Sequence, residues 1–243
     1  MWSIFHKEVN TFFSSLIGYI VIGVFLIALG LVMFVFPDTS LLRYNYATLD
    51  QLFSIAPMIF AFLIPAITMR SFSEEQQTGT IELLATKPVS DLAIIIGKFF
   101  ACLLLVVFAL LPTLLYYYTI YELGVPKGNL DAGAIAGSYL GLIFLAGAFV
   151  SIGLFASSLT NNQIVAFILA TALCFFGHWG FFFLSKLPVF TGRVDDIVQM
   201  LGMDYHYNSI SRGLLDSRDL LYFLSVMIIF IMLTLTSLER RKW

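Results

Sequence analysis

The sequence predicts an all-α integral membrane protein with six transmembrane helices. Of the 243 residues, 60% are hydrophobic and 12% are charged, whereas soluble domains have about 45–50% apolar and about 25% charged residues. The apolar runs reach the length of about 20 residues that a helix needs to cross a bilayer. They are apolar on all sides rather than alternating, which favours helices over the strands of a barrel.

The six predicted spans are placed by length and by the absence of charge. They cover roughly residues 16–36, 53–69, 97–120, 134–158, 164–184 and 220–238. Because this number is even, both termini fall on the same side of the membrane. The basic residues 240–242 abut the last span, so the positive-inside rule predicts that both termini and the 70–98 loop are cytoplasmic.

The residues before the first span, 1–13, predict an amphipathic helix that lies in the membrane interface. Their apolar side chains recur at helical spacing and leave His6, Lys7 and Asn10 on the other side. We interpret this helix as a membrane-proximal anchor, and the alternative is a lever that contacts a cytoplasmic partner. The apolar positions are Trp2, Phe5, Val9, Phe12 and Phe13.

A polar island, Arg70–Lys98, separates the second and third predicted spans. Its residues 73–76 fit a capping box, in which the Ser73 hydroxyl accepts from a first-turn amide and Gln76 reaches back. Gly79 then weakens or turns the helix that this box begins. The first half of the island therefore predicts a short helix that starts at Ser73.

The second half of the island predicts a helix across the inner ends of the spans. Thr80–Ala85 mixes apolar and polar residues and ends before Pro88. Ser90 or Asp91 is expected to cap the third span. The apolar side chains of this helix are available to pack against a docked protein. Its glutamates are available to form ion pairs with that protein. A solvated loop that only connects two spans is an equally weighted alternative.

The island also carries a motif. It reads Glu-Glu-x-x-x-Gly-Thr-x-Glu-Leu-Leu, followed by a proline and by a Gly-Lys pair at the start of the third span. This pattern resembles the loop between spans two and three of the ABC-2 family of transporter permeases. The resemblance covers nearly the whole chain. The motif residues are Glu74, Glu75, Gly79, Thr80, Glu82, Leu83, Leu84, Pro88, Gly97 and Lys98.

The resemblance implies a role for the island. In this family the loop, here residues 70–96, is cytoplasmic and holds a coupling helix that docks onto an ATP-hydrolysing subunit. We expect a charge reversal at Glu74 and Glu75 to release that ATPase without unfolding the spans. The ATPase-coupling residues that the resemblance implies are Glu74, Glu75, Gly79, Thr80, Glu82, Leu83, Leu84 and Pro88.

The resemblance also implies partners. An ABC ATPase would hold ATP and Mg²⁺ on a separate chain. A second, similar but non-identical permease chain would pair with this one in the bacterial inner membrane. Within the family, the chain resembles permease subunits associated with gliding motility. That closer likeness rests on Pro65–Arg70, Gly128–Asp131 and Gly137–Leu142.

The sequence lacks the marks of an enzyme. A Gly-x-x-x-x-Gly-Lys-Ser/Thr phosphate loop is absent, and Gly97-Lys98 has no upstream glycine at the required spacing. Cys102 and Cys174 sit in apolar runs outside any metal-like cluster. The net charge of −2 gives no case for nucleic-acid binding. We therefore expect no catalytic residue, metal or cofactor on this chain, and membrane lipid as its surroundings.

Two features inside the spans allow a functional and a packing interpretation. Gly133, Gly137 and Gly141 recur every four residues, which lets another helix approach closely. We favour packing within the chain over a subunit interface. His178 is the one ionisable side chain well inside a predicted span. Because no carboxylate lies in a span to partner it, we favour a structural role for His178 over a transport pathway.

Residues 185–219 form the longest predicted outer segment, a periplasmic loop with short helices. Residues 194–200 have helical spacing, and the Phe and Leu content of the segment favours contact with the bilayer surface. A solvated loop is the alternative.

Three functions follow from these features. The first is the permease subunit of an ATP-driven exporter, linked to gliding motility or secretion. The second is a membrane scaffold or anchor for a motility or secretion machine that moves no cargo. The third, a proton-coupled carrier, ranks last because such carriers use paired carboxylates inside the membrane.

Overall fold

The computed structural model describes residues 1–37, 40, 48–80, 90–124, 126–188, 192 and 194–240. Within these residues all regular structure is helical, which confirms the all-α class. Short π-helical turns lie at Leu31–Val35 and Phe176–Gly180. The α-helices are α1 Trp2–Ser14, α2 Leu16–Gly30, α3 Asp50–Thr68, α4 Arg70–Gln77, α5 Asp91–Leu110, α6 Leu114–Leu123, α7 Ala132–Leu159, α8 Gln163–Phe175, α9 Phe181–Ser185, α10 Asp195–Met200, α11 Met203–Ile210 and α12 Ser217–Glu239.

Six helical segments in the described residues are long and apolar enough to cross a membrane, which confirms the predicted number of spans. An even number places both termini on one side, here called the terminal face, and the opposite side is called the far face. The spans are Gly18–Val35, Asp50–Gln77, Asp91–Leu123, Ala132–Leu159, Gln163–Ser185 and Ser217–Glu239.

The second span is longer than predicted, and the capping box at Ser73 is wrong. Only Met69 separates α3 from α4, and its backbone is helical (φ −54°, ψ −31°), so the helix continues toward Gln77. Ser73 lies in the middle of α4, and its hydroxyl donates to the Met69 carbonyl instead of accepting at a helix start. The first eight residues of the polar island therefore extend a spanning helix.

The ends of the island behave as the residue chemistry predicts. Gly79 has a positive φ of 71°, which lets the chain turn away after α4. Ser90 has an extended backbone, and its hydroxyl accepts from the Ala93 amide, so it caps the third span. The predicted helix at Thr80–Ala85 lies, apart from Thr80, outside the described residues.

The fourth span forms the centre of the bundle. In its most apolar window 78% of the residues are buried, compared with 11% in the sixth span. Small residues let neighbouring helices approach it closely. A Cβ added at Gly153, for example, would lie 2.0 Å from the Thr68 hydroxyl of the second span. The fourth span thus contacts the second, third, fifth and sixth spans directly.

The N-terminal helix α1 is separate from the first span. Ser15 between them has an extended backbone, and its hydroxyl accepts from the Gly18 amide. α1 packs on the terminal end of the third span, where a Cβ added at Gly97 would lie 3.2 Å from Ile4. Trp2 stays 67% exposed. One face of α1 thus contacts the bundle, and the interfacial position of its other face stays a prediction.

Two short helices, α10 and α11, connect the fifth and sixth spans on the far face. α11 packs into the bundle, because the buried Tyr207 hydroxyl donates to the Phe53 carbonyl of the second span at 2.7 Å. After α11 the chain passes close to the start of the fourth span at Gly213, which has a φ of 80°. The periplasmic position of this segment stays a prediction.

Candidate functional site

Lys98 in the third span is the most deeply buried cation in the described part of the chain, with a side chain only 1% exposed. Its ammonium donates to Glu8 Oε1 at 2.8 Å and to the Ser71 carbonyl at 2.7 Å. It also lies 3.0 Å from Glu75 Oε1. Three helices, α1, α4 and the third span, therefore meet at one buried charge.

A second lysine completes this site. Lys7 Nζ donates to the same Glu75 oxygen at 3.1 Å and lies 3.9 Å from Glu8 Oε1. We call Lys7, Glu8, Glu75 and Lys98 the ion cluster. Its two positive and two negative charges balance, which is the condition under which buried charge is tolerated.

The ion cluster is not closed off on every side. Glu75 Oε2 is buried and has no hydrogen-bond partner among the described residues. A cavity of about 230 Å³ adjoins the cluster and is also lined by Arg70, Glu74 and Thr80. In the described part of the chain, the cluster therefore borders on a cavity at the terminal face.

The other side of α4 is fixed to the fourth span. Ser157 Oγ accepts from the amides of Phe72 and Ser73, at 3.0 and 3.1 Å, and donates to the Met69 carbonyl at 2.9 Å. Gln76 Nε2 donates to the Ser158 carbonyl at 3.2 Å. The backbone groups left open at the break between α3 and α4 are thereby satisfied by a neighbouring helix. α4 is thus held on two sides.

The two adjacent glutamates of the motif have different environments. Glu75 points inward to the ion cluster, with a side chain 11% exposed. Glu74 is 42% exposed and forms a surface pair with Arg70 one turn earlier, at 2.9 Å. Such exposed pairs contribute little to stability. Of these two glutamates, Glu74 is therefore the one that is accessible to a partner protein.

The structure describes half of the predicted coupling residues. Gly79 and Thr80 are exposed just beyond the end of α4, beside Glu74. Their role in coupling stays a prediction. Four of the predicted residues lie outside the described part of the chain: Glu82, Leu83, Leu84 and Pro88.

The partners of Lys98 were not predicted from the sequence. Lys98 appeared only as a motif residue at a span start, and Lys7 only as part of the polar side of α1. A signal was present, because a lysine inside an apolar run needs a carboxylate partner. Glu8 and Glu75, separated from Lys98 by 90 and 23 positions in the sequence, could be assigned as that partner only from the packing of helices.

The glycine stripe packs mainly against the chain itself. A Cβ added at Gly137 would lie 3.1 Å from the Gly213 carbonyl oxygen, and one at Gly141 would lie 2.4 Å from Ile210. At Gly133 the one atom of the described residues within 4 Å of an added Cβ belongs to Asp131. This geometry agrees with the packing interpretation at Gly137 and Gly141, and the subunit interface stays a prediction.

His178 is buried in the π-helical turn of the fifth span, with 2% of its surface exposed. Its Nε2 lies 3.7 Å from Asp204 Oδ1. Its ring packs edge-on against Trp179, with 4.3 Å between ring centres. Asp204 belongs to α11, so the carboxylate that sequence analysis did not find in a span comes from the segment after it.

Residues 2–243 match the family described as "ABC-2 family transporter protein". No curated protein is similar enough to be matched to the chain.

Proposed function

The chain belongs to the ABC-2 family of transporter proteins, and we propose that it is the permease subunit of an ATP-driven exporter that receives the motion of a separate ATPase at α4. The observation that carries this proposal is the ion cluster. It joins α4, α1 and the third span at the membrane end where the motif residues Gly79 and Thr80 are exposed.

The contacts of α4 support a mechanism. ATP binding closes the ATPase, which pushes on the exposed end of α4. α4 is nearly continuous with the second span, is tied to α1 and the third span through the ion cluster, and is tied to the fourth span through Ser157. In this mechanism the second span with α4, the third span, the fourth span and α1 move together, because each tie between them is a direct hydrogen bond or ion pair. That movement re-gates the path between two permease halves.

In this mechanism the two motif glutamates act differently. Glu74 contacts the ATPase, whereas Glu75 holds the helices together inside the chain. The charge reversal of both residues is therefore a poor test, because a lysine at position 75 would face Lys7 and Lys98 in a buried site. We therefore expect the spans to stay folded after charge reversal at Glu74 alone. Charge reversal at Glu75, unlike the earlier expectation for the double variant, should destabilise them.

We propose cytoplasmic termini in the bacterial inner membrane and pairing with a second, similar but non-identical permease chain. Low burial within this chain supports the pairing, because only 22%, 22% and 11% of the most apolar windows of the first, fifth and sixth spans is buried. A second chain, together with lipid, would cover these faces. On the closer likeness of Pro65–Arg70, Gly128–Asp131 and Gly137–Leu142 to gliding-motility permeases, the assembly serves gliding motility or secretion, with ATP and Mg²⁺ held on the ATPase.

The ATPase contact is tested by site-specific photocrosslinking in native membranes. A photoreactive amino acid at Thr80, which is exposed beside Glu74, should capture a protein whose sequence contains a phosphate loop. The matched control is the same probe at Lys127, which is exposed on the far face between the third and fourth spans. It should capture no such protein. Failure to capture a phosphate-loop protein at Thr80, or equal capture at Lys127, would contradict the proposal.

The charge contact is tested in the same membranes. Glu74→Lys should lower the yield of the Thr80 crosslink about tenfold, since repulsion replaces a charge-assisted contact. It should leave thermal unfolding unchanged, because Glu74 is exposed. Glu122→Lys, at an exposed glutamate near the far-face end of the third span, should leave both unchanged. If ATP hydrolysis by the captured protein never responds to this chain, the scaffold interpretation replaces the exporter.

A further inference from the structure

A second cavity, of about 360 Å³, lies on the far face between the end of the fifth span and α11. Nothing in the proposed coupling path uses it. Its lining combines polar groups of both charges with apolar side chains. The lining includes His178, Phe182, Asp204, Asn208, Arg212 and Leu214.

In the described part of the chain, this cavity combines one unpartnered ring nitrogen with a nearby carboxylate. His178 Nδ1 is buried without a hydrogen-bond partner among the described residues. His178 Nε2 lies 3.7 Å from Asp204 Oδ1, which is beyond hydrogen-bond distance. Burial raises the pKa of the Asp204 carboxyl, although a hydrogen bond with Asn208 opposes this shift. A cation with N–H groups would satisfy the carboxylate and a ring nitrogen together.

The same cavity offers a cation of its own. Arg212 lines it, and the ion pairs among the described residues do not include Arg212. A guanidinium presents paired N–H donors that fit two oxygens of a phosphate. The cavity therefore holds a carboxylate for a cation and a guanidinium for an anion, which together fit a zwitterion.

The apolar side chains beside the cavity indicate that its ligand has an apolar part. Phe182 and Leu214 line the cavity and remain 38% and 66% exposed. Phe183, next to Phe182 in the chain, is 65% exposed. The site lies at the end of a spanning helix, where exposed apolar side chains meet lipid. A polar head in the cavity can thus continue into an apolar tail beside it.

We propose that this cavity binds the headgroup of a zwitterionic phospholipid that has a primary ammonium, with the ammonium at His178 and Asp204 and the phosphate at Arg212. Phosphatidylethanolamine is the simplest lipid of this class. Phosphatidylcholine has no N–H to donate, and phosphatidylglycerol has no cation, so both lack part of the match. This inference does not depend on the ATPase contact.

Native mass spectrometry of the purified full-length chain in detergent tests the proposal. Phosphatidylethanolamine should bind about tenfold more tightly than phosphatidylcholine or phosphatidylglycerol with the same acyl chains. Asp204→Asn and Arg212→Gln should each weaken phosphatidylethanolamine binding about tenfold. The matched controls Asp196→Asn and Arg218→Gln, at exposed positions of the same far-face region outside the cavity lining, should not change it.

Three results would overturn the proposal. Equal binding of the three lipids would mean unspecific lipid contact only. Equal loss in the control variants would place the effect outside the cavity. Equal affinity for soluble glycerophosphoethanolamine would make a soluble compound, not a lipid, the occupant. Because Arg212 is exposed, Arg212→Gln keeps the test valid even where Asp204→Asn lowers the yield of folded protein.

Discussion

Replacing Lys98 by Met is expected to lower the stability of the bundle by about 3–5 kcal/mol. Methionine fills a similar volume but removes the ammonium that both carboxylates share. Glu8 and Glu75, with side chains 13% and 11% exposed, would then be buried with only the peripheral Lys7 to pair with. The loss comes mainly from these stranded charges and less from the ion pair itself.

Thermal unfolding of the purified chain in detergent measures this effect, followed by tryptophan fluorescence. The midpoint should fall by about 10 °C. A second substitution, Glu75→Gln, should restore part of the loss in the Lys98→Met background, because one positive and one negative charge then remain. Recovery by this pair distinguishes stranded charge from simple loss of packing.

The control for Lys98→Met is Lys127→Met. Lys127 also pairs with a glutamate, at 2.7 Å, but its side chain is 71% exposed. Its loss should change stability by less than about 0.5 kcal/mol. If the two lysine variants unfolded at the same temperature, the ion cluster would not be what ties α1 and α4 to the third span.

Gly213→Ala is expected to be the most damaging of the small substitutions on the far face. A Cβ at this position would lie 2.3 Å from the Ala134 Cα and 2.8 Å from the Ala134 carbonyl oxygen. Both atoms belong to the backbone of the fourth span and cannot rotate away. The φ of 80° adds strain of about 1–2 kcal/mol for any L-residue, and overpacking adds about 1–3 kcal/mol.

The yield of monodisperse protein from detergent, together with the thermal midpoint, measures this loss. Gly79→Ala is the matched control, because Gly79 has a similar φ of 71°, but no atom of the described residues lies within 4 Å of an added Cβ. It should show only the conformational strain. The difference between the two variants isolates the steric clash of Gly213 with the fourth span.

A second-site variant sharpens this prediction. Ala134→Gly should not rescue Gly213→Ala, because the nearest atom is the Cα that glycine keeps. Rescue by Ala134→Gly, or equal stability of the Gly79 and Gly213 variants, would mean that the segment after α11 does not press on the backbone of the fourth span.

Local chemistry predicted some helix ends and not others. Ser90 caps the third span because its extended backbone and its hydroxyl are properties of the residue and its immediate neighbours. The prediction of a capping box at Ser73 was wrong because the chain stays helical from α3 through Met69 into α4. Ser157 satisfies the backbone at the break between α3 and α4, and this serine lies 84 residues further along the chain. No local pattern could show that support.

The motif glutamates show the same limit within the site. Side chains of adjacent residues on a helix point in directions about 100° apart. Glu74 and Glu75 therefore necessarily face different surroundings. Which of them faces inward depends on where α1 and the third span lie around α4. Lys98 occupies one of those directions, which makes Glu75 the internal partner and leaves Glu74 exposed.

The sequence by itself determined the all-α class and the number of spans, because the length and uniformity of apolar runs are local properties that a bilayer requires of any spanning helix. It also carried the motif by which the family is recognised. Only the tertiary structure decided which charges meet. Glu8 with Lys98, and His178 with Asp204, are joined by the packing of helices distant in sequence. A buried charge needs a partner, but any nearby helix can supply it, so hydrophobic periodicity alone does not identify that partner.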